Sequence, residues 1–176
     1  SGNASFTDIT EAAGLFSMHP TQTAAWGDYD GDGWLDLFIG NESFRGEIHP
    51  GELFHSNGDG TFTERASEMG VAVEGFVKGI SWGDSDNDGD LDLYVSRLQG
   101  DNFLFRNDGA GTEGRWNFAD IASAAGVTEP QESFPTWFWD YDNDGWLDLF
   151  VSGYHYNPDI NAGDVAADYL DLPTNA

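Results

Sequence analysis

The chain has 176 residues, of which 32 are acidic and 6 basic, and its formal net charge is −26. This charge disfavours nucleic acid and anionic membrane surfaces as partners, because both are bound through Lys and Arg. No cysteine is present, which excludes disulfides and thiolate metal sites, and no apolar run approaches the roughly 20 residues that span a bilayer. Thirteen Phe, seven Trp and six Tyr supply a sizeable core. The chain is therefore expected to fold, and to need cations that offset part of its charge.

An internal repeat organises the sequence. The segment 26–39 recurs as 82–95 and again as 138–151, at an interval of 56 residues both times. A second marker, 53–58, returns as 104–109 after 51 residues. Insertions and deletions are thus confined to the connections while the core keeps its register, which is typical of stacked modules in a repeat protein.

Four strands are predicted in each module. In the first module, one strand ends at an Asp-rich loop, and the next follows it at 35–39, where apolar residues alternate. A third strand is expected around Leu53 and Phe54, and a fourth at Phe62, after the hairpin signal Asn-Gly-Asp-Gly at 57–60. Short helical turns are expected at 10–14, 66–70 and 122–126.

This pattern predicts an all-β fold, specifically a partial β-propeller of about three four-stranded blades, because four strands in 56 residues match one blade. The modules cover roughly residues 1–56, 57–112 and 113–176. The last is expected to be incomplete, with residues 152–176 forming a connection rather than its third and fourth strands. On this interpretation the chain is a fragment of a larger propeller.

Each module carries the loop Asp-x-Asp-x-Asp-Gly-x-x-Asp. Calcium binds six to eight oxygen ligands, and carboxylates at positions 1, 3 and 5 converge only if the chain curls, which Gly at position 6 permits. Position 7 is expected to offer its backbone carbonyl and position 9 a closing carboxylate. The predicted ligands of three calcium ions are Asp28, Asp30, Asp32, Trp34 and Asp36; Asp84, Asp86, Asp88, Asp90 and Asp92; and Asp140, Asp142, Asp144, Trp146 and Asp148.

Other interpretations of the loop are weaker. A metal-free turn would crowd four carboxylates into nine residues, where they repel one another. An EF-hand needs Glu at position 12 and flanking helices. Position 12 is instead Ile39, Val95 or Val151, inside a predicted strand. Magnesium is disfavoured because it keeps several of its waters.

These loops resemble the FG-GAP/VCBS repeat family, whose calcium loops also occur in the α-subunit propeller of integrins. The longer blade pattern is similar to cartilage-acidic-protein-like proteins of the ASPIC/UnbV type. The resemblance implies calcium between the first two strands of each blade, on one rim of a propeller that closes with six to eight blades. Three modules cannot close such a disc, so we expect self-association or completion by missing blades. The sequence departs from the pattern at Trp139, which stands where Gly27 and Gly83 stand.

Calcium is interpreted as structural, because each loop supplies its ligands locally. Function is then expected on the connections. The propeller pattern places 40–52, 96–102 and 152–176 on one face together with 10–22, 66–77 and 122–133. The candidate ligand-binding residues on this face are Arg45, His49, Arg97, Tyr154 and His155, with His19 and Tyr156 nearby. The alternative is that they are solvated loop residues.

Two functions are compatible with these features. The first is a binding or adhesion module for a protein or carbohydrate ligand, placed outside the cell, in the periplasm or on the cell surface. The alternative is part of a secreted propeller enzyme, lyase- or hydrolase-like, with its site on the loop face. No catalytic residues are predicted, because no histidine stands beside a plausible Ser nucleophile. Trp34 and Trp146 are expected either to stack on a ligand or to pack against a neighbouring blade.

Overall fold

The computed structural model describes residues 5–111, 116–154 and 165–170, which form three antiparallel sheets in chain order. The first sheet contains β1 (Thr21–Gly27), β2 (Asp36–Asn41), β3 (Glu52–Ser56) and β4 (Phe62–Glu64). The second contains β5 (Phe76–Gly83), β6 (Asp92–Leu98), β7 (Phe103–Ala110) and β8 (Trp116–Asp120). The third contains β9 (Ser133–Trp139), β10 (Asp148–Tyr154) and β11 (Val165–Leu170). Two one-turn helices, α1 (Ala66–Met69) and α2 (Ala122–Ala125), follow β4 and β8.

The predicted four-stranded antiparallel units are confirmed in the first two sheets, where neighbours in sequence are neighbours in space. The helical turns at 66–70 and 122–126 are also confirmed, each ending at a left-handed glycine with φ of 74°. The sheets are shifted relative to the sequence modules, since β4 completes the first sheet although it lies beyond residue 56. All the sheets described are antiparallel, and helix is limited to these two turns within the described ranges.

The third sheet corrects one expectation. Residues 152–176 were expected to form a connection, but β11 occupies the position of a third strand and pairs with β10 from Leu149↔Leu170 to Tyr154↔Val165. The segment carries neither the Leu-Phe marker of the third strand nor the Asn-Gly turn that follows that strand in the first sheet. Its pairing follows instead from the free edge of β10, whose N–H and C=O groups need a partner.

The second strand of each sheet is the most deeply buried. All six residues of β2 are buried, as are the first five of β6. Both faces of these strands are covered, which explains why apolar residues occur at successive positions rather than only at every second one. Phe38 and Tyr94 are both 0% exposed, and they face different inter-sheet cores.

Two cores lie between successive sheets. The first cluster joins Phe38 and Leu53 of the first sheet to Val77, Leu93 and Phe105 of the second. The second cluster joins Tyr94 and Leu104 to Leu149 and Val151 of the third sheet. Because each sheet buries apolar side chains against its neighbour, the sheets stabilise one another as the units of a repeat array do.

One contact recurs between successive sheets, in which an aromatic ring lies on a glycine. A Cβ atom at Gly27 would lie 2.8 Å from the Trp82 ring, and one at Gly83 would lie 2.5 Å from the Phe138 ring. No other residue leaves room for a ring at that distance. We call Gly27 and Gly83 the glycine seats. In the third sheet Trp139 occupies the equivalent position and is 56% exposed.

The other end of the array presents the complementary half of this contact. Trp26 of β1 is equivalent to Trp82 and is 53% exposed. Its ring contacts Phe62 of its own sheet, with the two centroids 6.0 Å apart. Trp26 is therefore a ring without a glycine seat, whereas Trp139 fills the place where a seat would be.

Connections of successive sheets contact one another, as predicted for 40–52 with 66–77 and for 96–102 with 122–133, whereas most of the predicted connection 152–176 lies outside the described residues. Glu42 forms a bridge with Phe76, and the Gly51 N–H donates to the Val73 carbonyl at 2.8 Å. The next pair of sheets repeats this arrangement through Leu98↔Glu132 and Asn102 N–H to Thr128 O at 2.9 Å. Within the described part of the chain, no helix has the length and apolar character needed to cross a membrane.

Head-to-tail pairing of two copies would place Trp26 of one chain on Trp139 of the other. We therefore expect the chain to sediment at equilibrium as a monomer of 19.2 kDa in calcium. Trp139→Gly should supply a seat and shift the distribution towards dimers, and adding Trp26→Ser should reverse that shift. A dimer of the unaltered chain whose mass is insensitive to both substitutions would contradict this expectation.

Candidate metal centres

The three Asp-rich loops connect the first and second strands of the three sheets and share one hydrogen-bond pattern. In the first loop, the carboxylate of Asp28 accepts the N–H of Asp32 at 3.1 Å and that of Gly33 at 3.0 Å. Asp84 and Asp140 accept the equivalent pairs of N–H groups at 3.0–3.1 Å. These bonds curl the chain around its own side chains, so the loop shape is set by the backbone and the first Asp.

The predicted curl at position 6 is confirmed. Gly33, Gly89 and Gly145 have φ of 90°, 99° and 92°, which side chains with a Cβ rarely adopt. A second left-handed residue, at position 4, was not predicted. It is Gly31 in the first loop and Asn87 and Asn143 in the others, with φ of 58–66°. Its signal was available, because Gly and Asn are the residues that tolerate this conformation.

The loops bring carboxylates together, but not all in the same combination. Ligand oxygens from positions 1, 3 and 5 lie within 4.8 Å of one another in the first and second loops. In the third loop the group that meets this distance comprises positions 1, 3 and 9. The members are Asp28, Asp30 and Asp32; Asp84, Asp86 and Asp88; and Asp140, Asp142 and Asp148.

The Asp at position 9 lies at the buried base of the first and second loops, whereas its equivalent in the third loop, Asp148, is partly exposed. Asp36 is 0% exposed, and its two oxygens accept the N–H groups of Tyr29 at 3.2 Å and Ser56 at 2.8 Å. Asp92 is also 0% exposed. It accepts the N–H groups of Ser85 at 3.0 Å and Asn107 at 2.8 Å, together with the Ser85 hydroxyl. Each of these carboxylates therefore joins its loop to the third strand of its sheet.

The electrostatics of the loops favour uptake of a positive charge. Burial raises the pKa of Asp36 and of Asp92 to about 6, despite the N–H donors that oppose the shift. Burial, followed by the neighbouring loop carboxylates, also raises the pKa of Asp30 and Asp86. A carboxylate whose charged form is disfavoured in this way gains from a bound cation.

The donor set fits a hard dication. Each loop offers carboxylate oxygens, the ligands that calcium prefers. In the second loop, Asp86 Oδ1 is buried and has no hydrogen-bond partner among the residues that the structure describes. A buried carboxylate oxygen without a partner is costly unless an ion or a water contacts it.

The backbone N–H at position 7 of each loop is hydrogen-bonded within the loop. The N–H groups of Trp34, Asp90 and Trp146 donate to the position-5 carboxylate of the same loop at 2.8–2.9 Å. The Trp34 ring lies beside Gly58, since a Cβ there would be 3.1 Å from Nε1, and the side chain is 54% exposed. Trp34 thus packs on the hairpin turn of its own sheet, whereas we expected a ligand or a neighbouring blade. The carbonyl role of position 7 stays a prediction.

The second and third loops are adjacent in space. The side-chain amide of Asn87 donates to the carbonyl of Gly145 at 3.1 Å. This bond joins position 4 of one loop to position 6 of the next. The second and third loops therefore lie side by side on one rim of the array, as expected from their equivalent places in the sheets.

A histidine that sequence analysis did not assign lies at the first loop. His55 Nδ1 is 3.2 Å from Asp30 Oδ2 and 3.3 Å from Asp36 Oδ1, and the three residues form a group of potential metal ligands. His55 belongs to the third-strand marker 53–58, so the sequence contained a signal for it. It immediately precedes Ser56, whose N–H donates to Asp36. Its approach to the loop depends on the pairing of β2 with β3.

Two of the candidate ligand-binding residues share a cavity on the connection face. His49 Nδ1 lies 2.9 Å from His19 Nδ1, and the Arg45 guanidinium lies over the Phe44 ring at 4.9 Å. The cavity has a volume of about 270 Å³, and its lining residues are Pro20, Glu42, Phe44, Arg45, Glu47 and His49.

The other candidates do not join this cavity. Arg97 donates to the carbonyls of Glu74 and Asp101, both at 2.8 Å, and stacks on the Phe103 ring at 4.4 Å. It therefore braces two connections. Tyr154 ends β10, and His155 lies outside the described residues.

These sheets and loops define a class of protein, a β-sheet repeat array with one Asp-rich loop between the first two strands of each sheet. The sequence matches the FG-GAP-like repeat family over residues 28–95 and 84–151. Together the two matches span most of the chain and all three loops. The chain belongs to the FG-GAP-like repeat family, which confirms the resemblance seen in the sequence.

The chain is similar in sequence to three curated proteins. The chain is 27% identical over 157 residues to cartilage acidic protein 1 of Mus musculus and of Homo sapiens, a match that covers 84% of this chain. It is 32% identical over 122 residues to cartilage acidic protein 1 of Xenopus tropicalis, covering 69% of this chain. The matches span only 23%, 23% and 18% of those relatives, so the chain corresponds to about a quarter or less of their length.

Proposed function

We propose that this chain is a calcium-binding segment of an extracellular β-propeller, in which calcium stabilises the blades and the connection face binds a ligand. The observation that carries the proposal is the shared geometry of the three loops, with converging carboxylates at one rim. Family membership supports the propeller, and so does the packing of three sheets in series, which resembles that of successive blades.

Calcium is favoured over other dications for the oxygen-only loops. It accepts irregular shells of six to eight oxygens, whereas magnesium requires near-octahedral geometry and retains water. Three loops of four or more carboxylates account for much of the net charge of −26. Three dications would lower that charge and the self-repulsion that opposes the compact state.

A structural role follows from where the ligands lie. In the first two sheets, position 9 already joins the loop to the third strand, so an ion at the loop would hold three strands of one sheet together at the rim. The connection face, with its cavity near Arg45 and His49, lies on other segments of the chain. Ion binding and ligand binding are thus assigned to different parts of each sheet.

We expect three calcium ions per chain in calorimetric titration of chelator-treated protein, because each loop has its own ligands. Asp32→Ala and Asp88→Ala should each reduce the stoichiometry to about two, since the other loops are intact. Asp59→Ala is the matched control: Asp59 is acidic but lies in the hairpin turn, where it accepts Thr61 N–H at 3.0 Å. A stoichiometry of one or zero in the unaltered chain would contradict the proposal.

Removal of calcium with a chelator should lower the melting temperature. One site at 100-fold excess of ion over Kd contributes about 2.7 kcal/mol to the free energy of unfolding. For a chain of this length that corresponds to about 5–10 °C per site. Differential scanning calorimetry with calcium, with chelator, and with chelator plus excess magnesium measures the effect, and magnesium should restore little of it. Equal melting temperatures with and without chelator would argue against a structural role.

We propose that further sheets of the same family complete the array, rather than a second copy of this chain. Trp26 presents a ring of the kind that the glycine seats accept, and Trp139 prevents a second copy from supplying the seat. The relatives are about four times longer than the matched region, which leaves room for such sheets.

The binding role is tested with an array of glycans and peptides and a panel of hydrolase and lyase substrates. We expect calcium-dependent retention on the array, weakened by Arg45→Ala or His49→Ala, because these side chains line a cavity on the connection face. Turnover of a substrate without retention on the array would favour the enzymatic alternative.

A further inference from the structure

Among the described residues, the first loop differs from the other two in having a histidine beside the buried carboxylate at its base. The side chains of Asp30, Asp36 and His55 are 10%, 0% and 17% exposed, and one ligand atom of each lies within 4.8 Å of the others. The group thus contains two carboxylates and one imidazole, in a place largely shielded from water.

The imidazole nitrogen that faces the carboxylates has no other role among the described residues. His55 Nδ1 is buried and makes no hydrogen bond there, although two carboxylate oxygens lie 3.2 and 3.3 Å away. A buried polar nitrogen in such a position is costly unless it is charged or binds something. An ion between Nδ1 and the two oxygens would contact all three atoms and give the nitrogen a partner.

The imidazole is held in this orientation by its sheet. His55 pairs with Thr63 across β3 and β4, and its ring meets the Tyr29 ring edge-on, with centroids 6.1 Å apart. Asp36 is held by the N–H groups of Tyr29 and Ser56. Two of the three potential ligands are therefore fixed before any ion binds, which lowers the entropic cost of binding.

The distances suit a transition-metal dication. Two ligands about 2.0–2.2 Å from a tetrahedral zinc ion are roughly 3.3–3.6 Å apart, close to the separations of His55 Nδ1 from the two oxygens. Zinc combines imidazole nitrogen with carboxylate oxygen, whereas calcium takes oxygen ligands. The nitrogen therefore favours zinc over calcium at this base.

The second sheet is a natural comparison. Arg106 stands where His55 stands in the first sheet, and its Nε donates to Asp108 Oδ1 at 2.7 Å. A guanidinium remains protonated and offers no lone pair, so it cannot bind a metal. The second loop is thus left with oxygen ligands only.

We propose that Asp30, Asp36 and His55 form a zinc-selective site at the first loop, while the second and third loops remain oxygen-only sites. Zinc at this position displaces calcium from the first loop only. The site makes the first sheet sensitive to a different metal from its neighbours, and it does not depend on calcium at the other two loops.

The site is tested by titrating zinc into chelator-treated chain, once without calcium and once in excess calcium. We expect one zinc ion per chain to remain bound in excess calcium, with the calcium stoichiometry falling from three to two. In parallel, ¹⁵N NMR of the imidazoles should show the His55 Nδ1 resonance shifting on zinc addition and not on calcium addition. The NMR measurement uses the unaltered chain and needs no variant to fold.

His55→Arg introduces the residue type that Arg106 has in the second sheet, and His55→Gln removes the imidazole. Each should weaken zinc binding by at least about tenfold, since loss of even a residue that hydrogen-bonds a metal ligand has that effect. Calcium binding at the second and third loops reports that the variants are folded. His19→Ala/His49→Ala is the matched control, because it removes the other close pair of histidines. That variant should keep the calcium-resistant zinc ion.

Three results would overturn the site. The first is zinc affinity within threefold of the original in both His55 variants, and the second is loss of the zinc ion in the His19/His49 control. The third is an Nδ1 resonance showing that the His55 nitrogen stays protonated when zinc is added, which would make His55 a counter-ion to the carboxylates. Absence of calcium binding with zinc binding intact would overturn the proposed calcium function and leave the zinc site standing.

Discussion

The carboxylate at position 9 of the loop is the constraint around which the first two sheets are organised. Asp36 is fully buried, and its two oxygens accept N–H groups from two separate segments, the loop at Tyr29 and the third strand at Ser56. Asp92 repeats the arrangement with Ser85 and Asn107. Bonds from N–H groups to an ionised carboxylate are stronger than neutral ones. A single side chain thus sets the end of the second strand, the base of the loop and the approach of the third strand.

The same arrangement buries carboxylates close to one another, and the basic groups near them differ between the first two sheets. Burial raises the pKa of Asp36 and of Asp92 to about 6, and the carboxylates of Asp30 and Asp86 add to the respective shifts. In the first sheet, His55 lies against the loop. In the second, Arg106 acts from a distance and favours the charged forms of Asp86 and Asp92. Loops that are alike in sequence therefore have different electrostatic surroundings, which is the basis for assigning them different ions.

Packing between sheets relies on a second constraint, which is the absence of a side chain at two positions. The rings of Trp82 and Phe138 lie where a Cβ of Gly27 or Gly83 would be. Close packing of this kind transmits register from one sheet to the next, because the ring cannot shift without meeting backbone. Trp139 ends this series, so the third sheet presents a different outer face from the first two.

The local features of this protein were readable from its residues. The Asp loops and the left-handed Gly at position 6 depend on spacings within a few residues, repeated three times. Such patterns act through neighbouring backbone, so they hold wherever the segment is placed.

Tertiary structure decided the features that depend on pairing between distant segments. His55 reaches Asp30 and Asp36 because β3 pairs with β2 in one register, and a shift of one residue would turn its side chain to the other face. Arg97 donates to the carbonyls of Glu74 and Asp101, contacts that its own segment did not indicate, and its role in ligand binding stays a prediction. The strand β11 exists because the edge of β10 was free to pair, although its own sequence carries no strand marker. These outcomes depend on which atoms meet across a sheet, and the order of residues along one segment does not contain that information.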